Sequence, residues 1–316
     1  MLLGLPREIE CKSFRVMLMR NLLKRKCPGS SRGGAMSRGA HFTGRFNSTS
    51  PFRRTLCRRS DCLAITENML LIQHCRKLPD RLSFEEGVTI FSPMSTVAFS
   101  LYSQKPETES LRMSPPWEDG RGKYAGKSIF ISGGATQVGQ FALQWARLSG
   151  FGPIITTASL HNTELLKSQG ATHVLDRKLP QDTIVEQVKA IAGDLVDLSY
   201  DTVVEDDTIA LTAAAVKPGG QLVVSIHGKE ELVTKLTKPK GIQWMIGRGL
   251  QSTEQNKGAL SGLLRKLPGL IEEGVIKPTP HEVLKGGLRA VPAGLERLRN
   301  NQVSGLRLIV HPHETQ

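Results

Sequence analysis

The chain has 316 residues, 39% of them hydrophobic, and a formal net charge of +13. This length can hold one large domain or two ordinary ones with a buried core. Residues 1–60 carry 14 Lys and Arg against two Glu, so residues 61–316 carry a net charge of only +1. Because the main part of the chain is almost neutral, we expect no nucleic-acid partner. No apolar run reaches the roughly 18 residues of a membrane span, and we expect no membrane partner.

The N-terminal segment, residues 1–75, shows no sustained helix or strand period and is predicted to be disordered or degenerate. Its acid-poor, Arg- and Ser-rich composition is typical of a mitochondrial transit peptide, although Pro6, Glu8 and Glu10 interrupt the start. A misread start of the coding sequence is an alternative. We expect a cytoplasmic protein, or a mitochondrial one if this segment is a transit peptide. All five cysteines lie here without zinc-ligand spacing, and no metal is expected.

A more regular pattern begins at Leu78. Ser83 stands three residues before Glu86, a capping box that predicts a helix reaching about Tyr102. Residues 104–126 are rich in Pro, Gly and charge and are predicted to form a loop. Residues 76–126 are therefore interpreted as a helix and a loop that lead into the main fold.

The most informative stretch is residues 127–140, KSIFISGGATQVGQ. An apolar strand ends in Gly133 and Gly134, and a helix that contains Gly139 begins near Gln137. Such glycines let the backbone turn sharply and approach a phosphate, while the first N–H groups of the helix provide positive dipole. The stretch predicts a dinucleotide site, although a strand-to-helix turn without a ligand has the same pattern.

Strands and helices alternate after this turn. The pattern predicts strands over 151–157, 172–175, 196–204 and 220–226, and helices over 138–148, 162–168, 182–192 and 208–216. Such alternation favours an α/β fold, a Rossmann-type doubly wound parallel sheet that binds its ligand at the carboxyl ends of the strands. We predict a nucleotide-binding domain over 127–274, with residues 275–316 completing the substrate side and the sheet.

The choice of cofactor depends on the end of the second strand, where an acidic residue would bind the ribose of NAD. Counting roughly 20 residues from Gly139 reaches Ser159, and no carboxylate precedes Glu164. Ser159, His161 and Asn162 can hydrogen-bond a 2′-phosphate, so NADPH is predicted. The alternative is that Ser159 or Asn162 only caps the next helix.

Several motifs resemble the medium-chain dehydrogenase/reductase superfamily, in particular its zinc-independent fungal enoyl-reductase-like and quinone-oxidoreductase-like members. They include LPDRLSFEEG, STVAFSLY, SIFISGGATQVGQFALQWARLSGF, VKPGGQLVVSIHG and LRNNQVSGLRLIV. The resemblance implies a pyrophosphate site lined by Gly134, Thr136, Gln137, Val138 and Gly139, and a 2′-phosphate site at Ser159, His161 and Asn162. It also implies that Ile226 lies by the nicotinamide ribose, Arg307 near the cofactor, and Thr96 beside the nicotinamide, where it is a candidate to bind a substrate carbonyl. The alternative for Thr96 is a threonine packed in a helix.

The same resemblance implies an NADPH-dependent oxidoreductase that reduces an activated C=C bond in a small molecule, an enone, a quinone or an enoyl thioester. A monomer or a homodimer is expected. The sequence departs from the family at Arg177, where Tyr is frequent, and in lacking most of the N-terminal GroES-like barrel. The alternative function is a remnant that binds NADPH but turns over poorly.

Overall fold

The computed structural model describes residues 79–225, 228–247, 249, 256 and 258–315. These residues belong to a unit that begins at Arg76. The predictions made for residues 1–75 and for Ile226 lie outside the described residues. Among the helices that the model describes, none is long and apolar enough to cross a membrane.

The elements follow one another in the predicted alternation. The helices are α1 (Phe84–Tyr102), α2 (Gln137–Ser149), α3 (Thr163–Gln169), α4 (Gln181–Ala192), α5 (Asp206–Ala215), α6 (Glu230–Thr237), α7 (Ser261–Glu272) and α8 (Val291–Arg299). The strands are β1 (Ile129–Ser132), β2 (Ile154–Ala158), β3 (His173–Asp176), β4 (Val196–Asp201), β5 (Val216–Val224), β6 (Gln243–Ile246), β7 (His281–Leu284) and β8 (Arg307–Val310). Short 3-10 turns lie at Leu160–Asn162, Lys238–Lys240, Gly287–Ala290 and Pro312–Glu314.

Six strands form one parallel sheet in the order β3-β2-β1-β4-β5-β6. In the register of this sheet, Ile129 of β1 lies between Ile154 of β2 and Leu198 of β4. The order reverses between β1 and β4, which is where a doubly wound sheet binds its ligand. The predicted Rossmann-type α/β fold is confirmed.

Both faces of the sheet are buried, which explains why its central strands are apolar without a clean alternation. Ile129 and Ile131 of β1 point into a core that they share with α1 and α2, whereas Phe130 points into a second core beneath α4 and α5. The first core contains an aromatic cluster of Tyr102, Trp117 and Trp145, with Trp117 at a ring-centroid distance of 5.3 Å from each of the other two.

Helix α1 begins as its sequence predicts. Glu86 N donates to Ser83 Oγ at 3.1 Å, and Ser83 N donates to Glu86 Oε2 at 2.8 Å, which completes the capping box. At the other end of the helix, the Tyr102 hydroxyl lies 2.7 Å from Ser149 Oγ at the end of α2. The predicted helix is confirmed, and this hydrogen bond connects its end to α2.

The C-terminal segment departs from its prediction, because β7 and β8 do not join the six-stranded sheet in the described part of the chain. They pair with each other in parallel as a separate two-stranded sheet. Polar contacts hold the approach to β7 against the two helices on this side: Thr279 N donates to Thr89 Oγ1 of α1 at 3.1 Å, and Lys277 N donates to Gln144 Oε1 of α2 at 2.7 Å. These contacts place β7 beside the helices instead of at a sheet edge.

Candidate nucleotide-binding site

The glycine turn, residues 133–139, connects β1 to α2 at the point where the strand order reverses. Gly133 has φ +78°, a conformation that favours glycine. Its N–H donates to Thr157 Oγ1 at 3.2 Å, and the N–H of Gly134 donates to Thr157 O at 3.1 Å. The start of the turn is therefore fixed to the end of β2.

Thr136 fixes the other half of the turn as the N-cap of α2. Its hydroxyl oxygen accepts the N–H of Gly139 at 2.9 Å and lies 2.9 Å from Thr202 Oγ1. Thr202 in turn donates to Ser132 O at 2.7 Å. The turn is thus supported on one side by β2 and on the other by the residue that follows β4.

Two glycines of the turn are required by close contacts, one inside the turn and one with β2. A Cβ atom on Gly139 would lie 2.2 Å from Gly133 O, and a Cβ atom on Gly134 would lie 2.3 Å from Thr156 Oγ1. Both distances are shorter than any tolerable contact, so only glycine fits. The predicted phosphate cradle therefore has the compact backbone that close approach of a phosphate needs.

The first turn of α2 offers donors to a ligand. Within the described chain, the N–H groups of Gln137 and Val138 have no acceptor. The side chain of Gln137 is buried, and its Oε1 accepts the Thr279 hydroxyl at 2.6 Å while its Nε2 has no partner among the described residues. An orphaned amide donor beside a helix N-terminus fits a phosphate oxygen.

Ser159 and Arg177 meet beyond the carboxyl end of β2. Arg177 N donates to Ala158 O at 3.0 Å, and Arg177 Nε donates to Ser159 Oγ at 3.0 Å. The nearby carboxylate of Asp176 instead accepts the N–H of Lys178 at 3.0 Å. Sequence reasoning treated Arg177 only as a departure from the family, whereas the structure brings its guanidinium to the residue predicted for the 2′-phosphate.

His161 and Asn162 are turned towards the loop before β8. Asn162 Nδ2 donates to Ser304 Oγ at 2.9 Å, and His161 Nε2 lies 3.2 Å from the same oxygen. Neither Ser159 nor Asn162 makes a side-chain cap on the element that follows it. Both residues occupy the N-cap positions that the alternative expects, but without the side-chain hydrogen bond of a cap, and their part in cofactor binding stays a prediction.

Thr96 and Arg307 lie on elements around the site and already have partners. Thr96 Oγ1 donates to Ser92 O of its own helix at 3.0 Å, and a Cβ atom on Gly249 would fall within 2.0 Å of that hydroxyl. Arg307 Nη1 donates to Val88 O of α1 at 2.7 Å. The structure thus shows a packed threonine and an arginine that connects β8 to α1, and the roles predicted for them in the site stay predictions.

A buried carboxylate supports the turn after β4. Asp201 accepts the N–H groups of Val203 and Val204, at 2.9 and 3.0 Å, and the hydroxyl of Thr208 at 2.9 Å. Burial raises the pKa of Asp201 to about 6, against the opposing effect of these hydrogen bonds. Val204 has φ +64°, a strained conformation for a β-branched residue, so this carboxylate holds a strained turn next to Thr202.

Fold and site together define a doubly wound α/β protein in which a glycine turn supplies helix N–H groups at the switch point of the sheet, the place where such folds bind a dinucleotide. The model of the family described as zinc-binding dehydrogenase matches residues 138–246, which run from α2 to β6.

Fungal enzymes are among the relatives. The trans-enoyl reductase ACTTS2 of Alternaria alternata is 28% identical over 239 residues, which cover 74% of this chain and 66% of the relative. The trans-enoyl reductase gkaC of Penicillium citrinum is 26% identical over 247 residues, which cover 73% of this chain and 66% of the relative. The chain thus spans about two thirds of the length of the curated relatives that it matches.

Solved structures of the same fold include the CurK enoyl reductase, with a TM-score of 0.57 at 22% identity over 74% of this chain and 64% of that one. A quinone oxidoreductase of Pseudomonas syringae has a TM-score of 0.54 at 19% identity over 74% of this chain and 67% of that one. In sequence and in fold the chain resembles the enoyl-reductase-like and quinone-oxidoreductase-like proteins of the medium-chain dehydrogenase/reductase superfamily.

Proposed function

We propose that the protein is an NADPH-dependent reductase of a C=C bond conjugated to a carbonyl group, in an enone, a quinone or an enoyl thioester. The choice of NADPH rests on the hydrogen bond between Arg177 and Ser159. This bond puts a guanidinium at the end of β2, where an NAD site has a carboxylate. The reaction class rests on the trans-enoyl reductases among the relatives.

The residues of this chain would hold the cofactor at two points. The N–H groups of Gln137 and Val138 would donate to the pyrophosphate, with Gly134 and Gly139 leaving room for it. Ser159 and Arg177 would bind the 2′-phosphate through a hydroxyl and a guanidinium, a planar donor suited to phosphate. When bound, NADPH supplies the hydride for the β carbon of the substrate.

The proposed chemistry proceeds without zinc. Negative charge develops on the carbonyl oxygen as the β carbon is reduced, and hydrogen-bond donors must stabilise it. Among the described residues, the group of His and Glu side chains with metal-ligand spacing lies at residues 311–314 and not at the glycine turn. Solvent is proposed as the source of the proton for the α carbon.

Binding and turnover test this function separately. The full chain is titrated with NADPH and with NADH by isothermal titration calorimetry, and the loss of NADPH absorbance is then followed with one enone, one quinone and one enoyl thioester. We expect tighter binding of NADPH than of NADH, and oxidation with at least one substrate class. Equal affinity for the two cofactors would contradict the assignment of the 2′-phosphate site.

A second candidate is a protein that binds NADPH without efficient turnover. It is favoured by Thr96, whose hydroxyl donates its proton to Ser92 O within its own helix. Tight NADPH binding without oxidation of any of the three substrates would support it. If turnover is found, Thr96→Val tests the residue, since it keeps the packing against Gly249: an unchanged kcat would identify Thr96 as a packing residue.

A further inference from the structure

Two histidines and a glutamate come together at the C-terminal end of the described chain. His311, His313 and Glu314 lie on and beside the 3-10 turn Pro312–Glu314, which has proline at its first position. One nitrogen or oxygen atom from each of the three residues lies within 4.8 Å of those from the other two. The rings of His311 and His313 are nearly parallel, with their centroids 5.5 Å apart.

The ring of His311 is oriented from both sides. Its Nδ1 lies 2.9 Å from Glu314 Oε1, and its Nε2 lies 2.8 Å from Glu85 Oε1 in the first turn of α1. An ionised carboxylate only accepts hydrogen bonds, so each ring nitrogen carries a proton towards its carboxylate; a metal ion at Nδ1 would replace the proton that faces Glu314, while Nε2 would keep the one that faces Glu85. A carboxylate behind the second nitrogen of a histidine is the usual support of a metal-bound imidazole, since it fixes the ring and raises its basicity.

We propose that His311 Nδ1, His313 and Glu314 bind a divalent transition-metal ion, for which Zn²⁺ is the best match, with Glu85 as the carboxylate behind His311. Two imidazole nitrogens and one carboxylate oxygen are ligands that zinc accepts, whereas calcium and magnesium prefer oxygen alone. His313 and Glu314 are exposed, so rotation of their side chains suffices to close the distances around an ion. A water molecule would occupy the fourth position.

The site goes beyond the proposed reductase function, because it involves no residue of the glycine turn. Glu85 belongs to α1, whereas the three ligands belong to the segment that follows β8. The ion would therefore fasten the end of the chain to the start of α1. This role is structural, and it predicts that the metal raises the thermal stability of the protein.

The test is a titration of the full chain with Co²⁺, in the presence and absence of Zn²⁺ as competitor. Visible absorption reports nitrogen and oxygen ligands, and thiolate charge-transfer absorption reports binding by the cysteines of residues 1–75. We expect His313→Ala to bind one equivalent of Co²⁺ fewer than the parent protein. The equivalent that is lost should be one without thiolate absorption. Glu85→Gln should weaken that site by about 10- to 100-fold, as expected for a supporting carboxylate.

His173→Ala is the matched control, since His173 is also exposed and, within the described part of the chain, its Nδ1 has a hydrogen bond to its neighbour Thr172, at 2.9 Å. It should bind the metal as the parent protein does. The proposal is overturned if His313→Ala keeps the stoichiometry and affinity of the parent, or if the whole Co²⁺ signal is thiolate absorption. Circular dichroism of His313→Ala separates loss of the site from loss of the fold.

Discussion

Arg177 Nε donates to Ser159 Oγ at 3.0 Å, and this hydrogen bond joins residues that follow two neighbouring strands, β3 and β2. We expect Arg177→Ala to weaken NADPH binding by about tenfold or more, because a charge-assisted contact to a phosphate contributes about 1.5–3 kcal/mol. NADH lacks the 2′-phosphate, so its dissociation constant should not change. Calorimetric titration with both cofactors measures the two effects.

Lys178→Ala is the control for this experiment. Lys178 is the next residue, it is also exposed, and its substitution removes the same charge. It should leave the ratio of the two dissociation constants as in the parent protein. An equal loss of NADPH and NADH affinity in Arg177→Ala would show that Arg177 acts on the fold and not on the 2′-phosphate.

Ser159→Asp should move the cofactor preference towards NADH. A carboxylate at this position would accept hydrogen bonds from the ribose hydroxyls of NADH, and it would repel a 2′-phosphate. It would also form an ion pair with Arg177 and so remove that cation from the phosphate. The readout is the ratio of the Kd values for NADPH and NADH, with Ser159→Ala as the variant that removes the hydroxyl without adding charge. A ratio in Ser159→Asp equal to that of Ser159→Ala would contradict the prediction.

Gly139→Ala should abolish cofactor binding and lower the free energy of unfolding. Its Cβ atom would lie 2.2 Å from Gly133 O and 2.8 Å from Gly134 Cα, so the glycine turn has to open. Overpacking of this kind costs about 1–3 kcal/mol. Urea denaturation gives the stability, and titration with NADPH gives the affinity.

Gly269→Ala in α7 makes the same chemical change without the clash, since nothing lies within 4 Å of its added Cβ atom. It should be neutral or stabilise by up to about 1 kcal/mol, because alanine favours the helix interior. Unchanged NADPH affinity in Gly139→Ala would show that the phosphate does not lie at the glycine turn.

Asp201 predicts a pH dependence of stability. Burial raises its pKa from the ordinary 3.8 to about 6 in the folded protein, so the folded state binds this proton more tightly than the unfolded state does. The contribution of Asp201 to stability is therefore greatest below about pH 4 and falls as the pH rises through 6, by up to about 3 kcal/mol. The nearby carboxylate of Asp207 acts in the same direction.

Asp201→Asn cannot titrate, but its amide can still accept the N–H groups of Val203 and Val204 and donate to Thr208. As the pH rises from 4 to 7, we expect the parent protein to lose unfolding free energy relative to Asp201→Asn. Urea denaturation at several pH values measures this difference. A difference that does not change with pH would show that the Asp201 carboxyl does not gain a proton on folding in this range.

Most of the fold could be predicted from local sequence, because β1, β2 and the second half of β5 are apolar runs bounded by glycines or turn residues. The predicted strand over 151–157 begins three residues later, after Gly152 and Pro153. Sequence reasoning did not identify α7, since Gly262, Pro268 and Gly269 lie within that helix and weaken its helical pattern. It also missed β6, whose four residues are too few to show a period.

The glycine turn could be predicted because its requirements are local. The other parts of the candidate site depend on contacts between residues that are far apart in the sequence. Such contacts cannot be predicted from the spacing of residues along the chain. Arg177 reaches Ser159 only because β3 lies beside β2, and Ser304 reaches Asn162 across 142 positions of the chain. Thr202 supports Thr136 only because β4 lies beside β1.

One face of α2 presents a glutamine at each turn, and Gln137, Gln140 and Gln144 bind Thr279, Gly305 and Lys277. These amides hold the segment before β7 and a residue just before β8 with directed hydrogen bonds, while the fully buried Ile276 supplies apolar contact in the same core. The seam therefore fixes the position of this segment along α2, which apolar contact alone does not specify. If the segment detached, the amide protons of Lys277 and Thr279 would exchange with solvent deuterium.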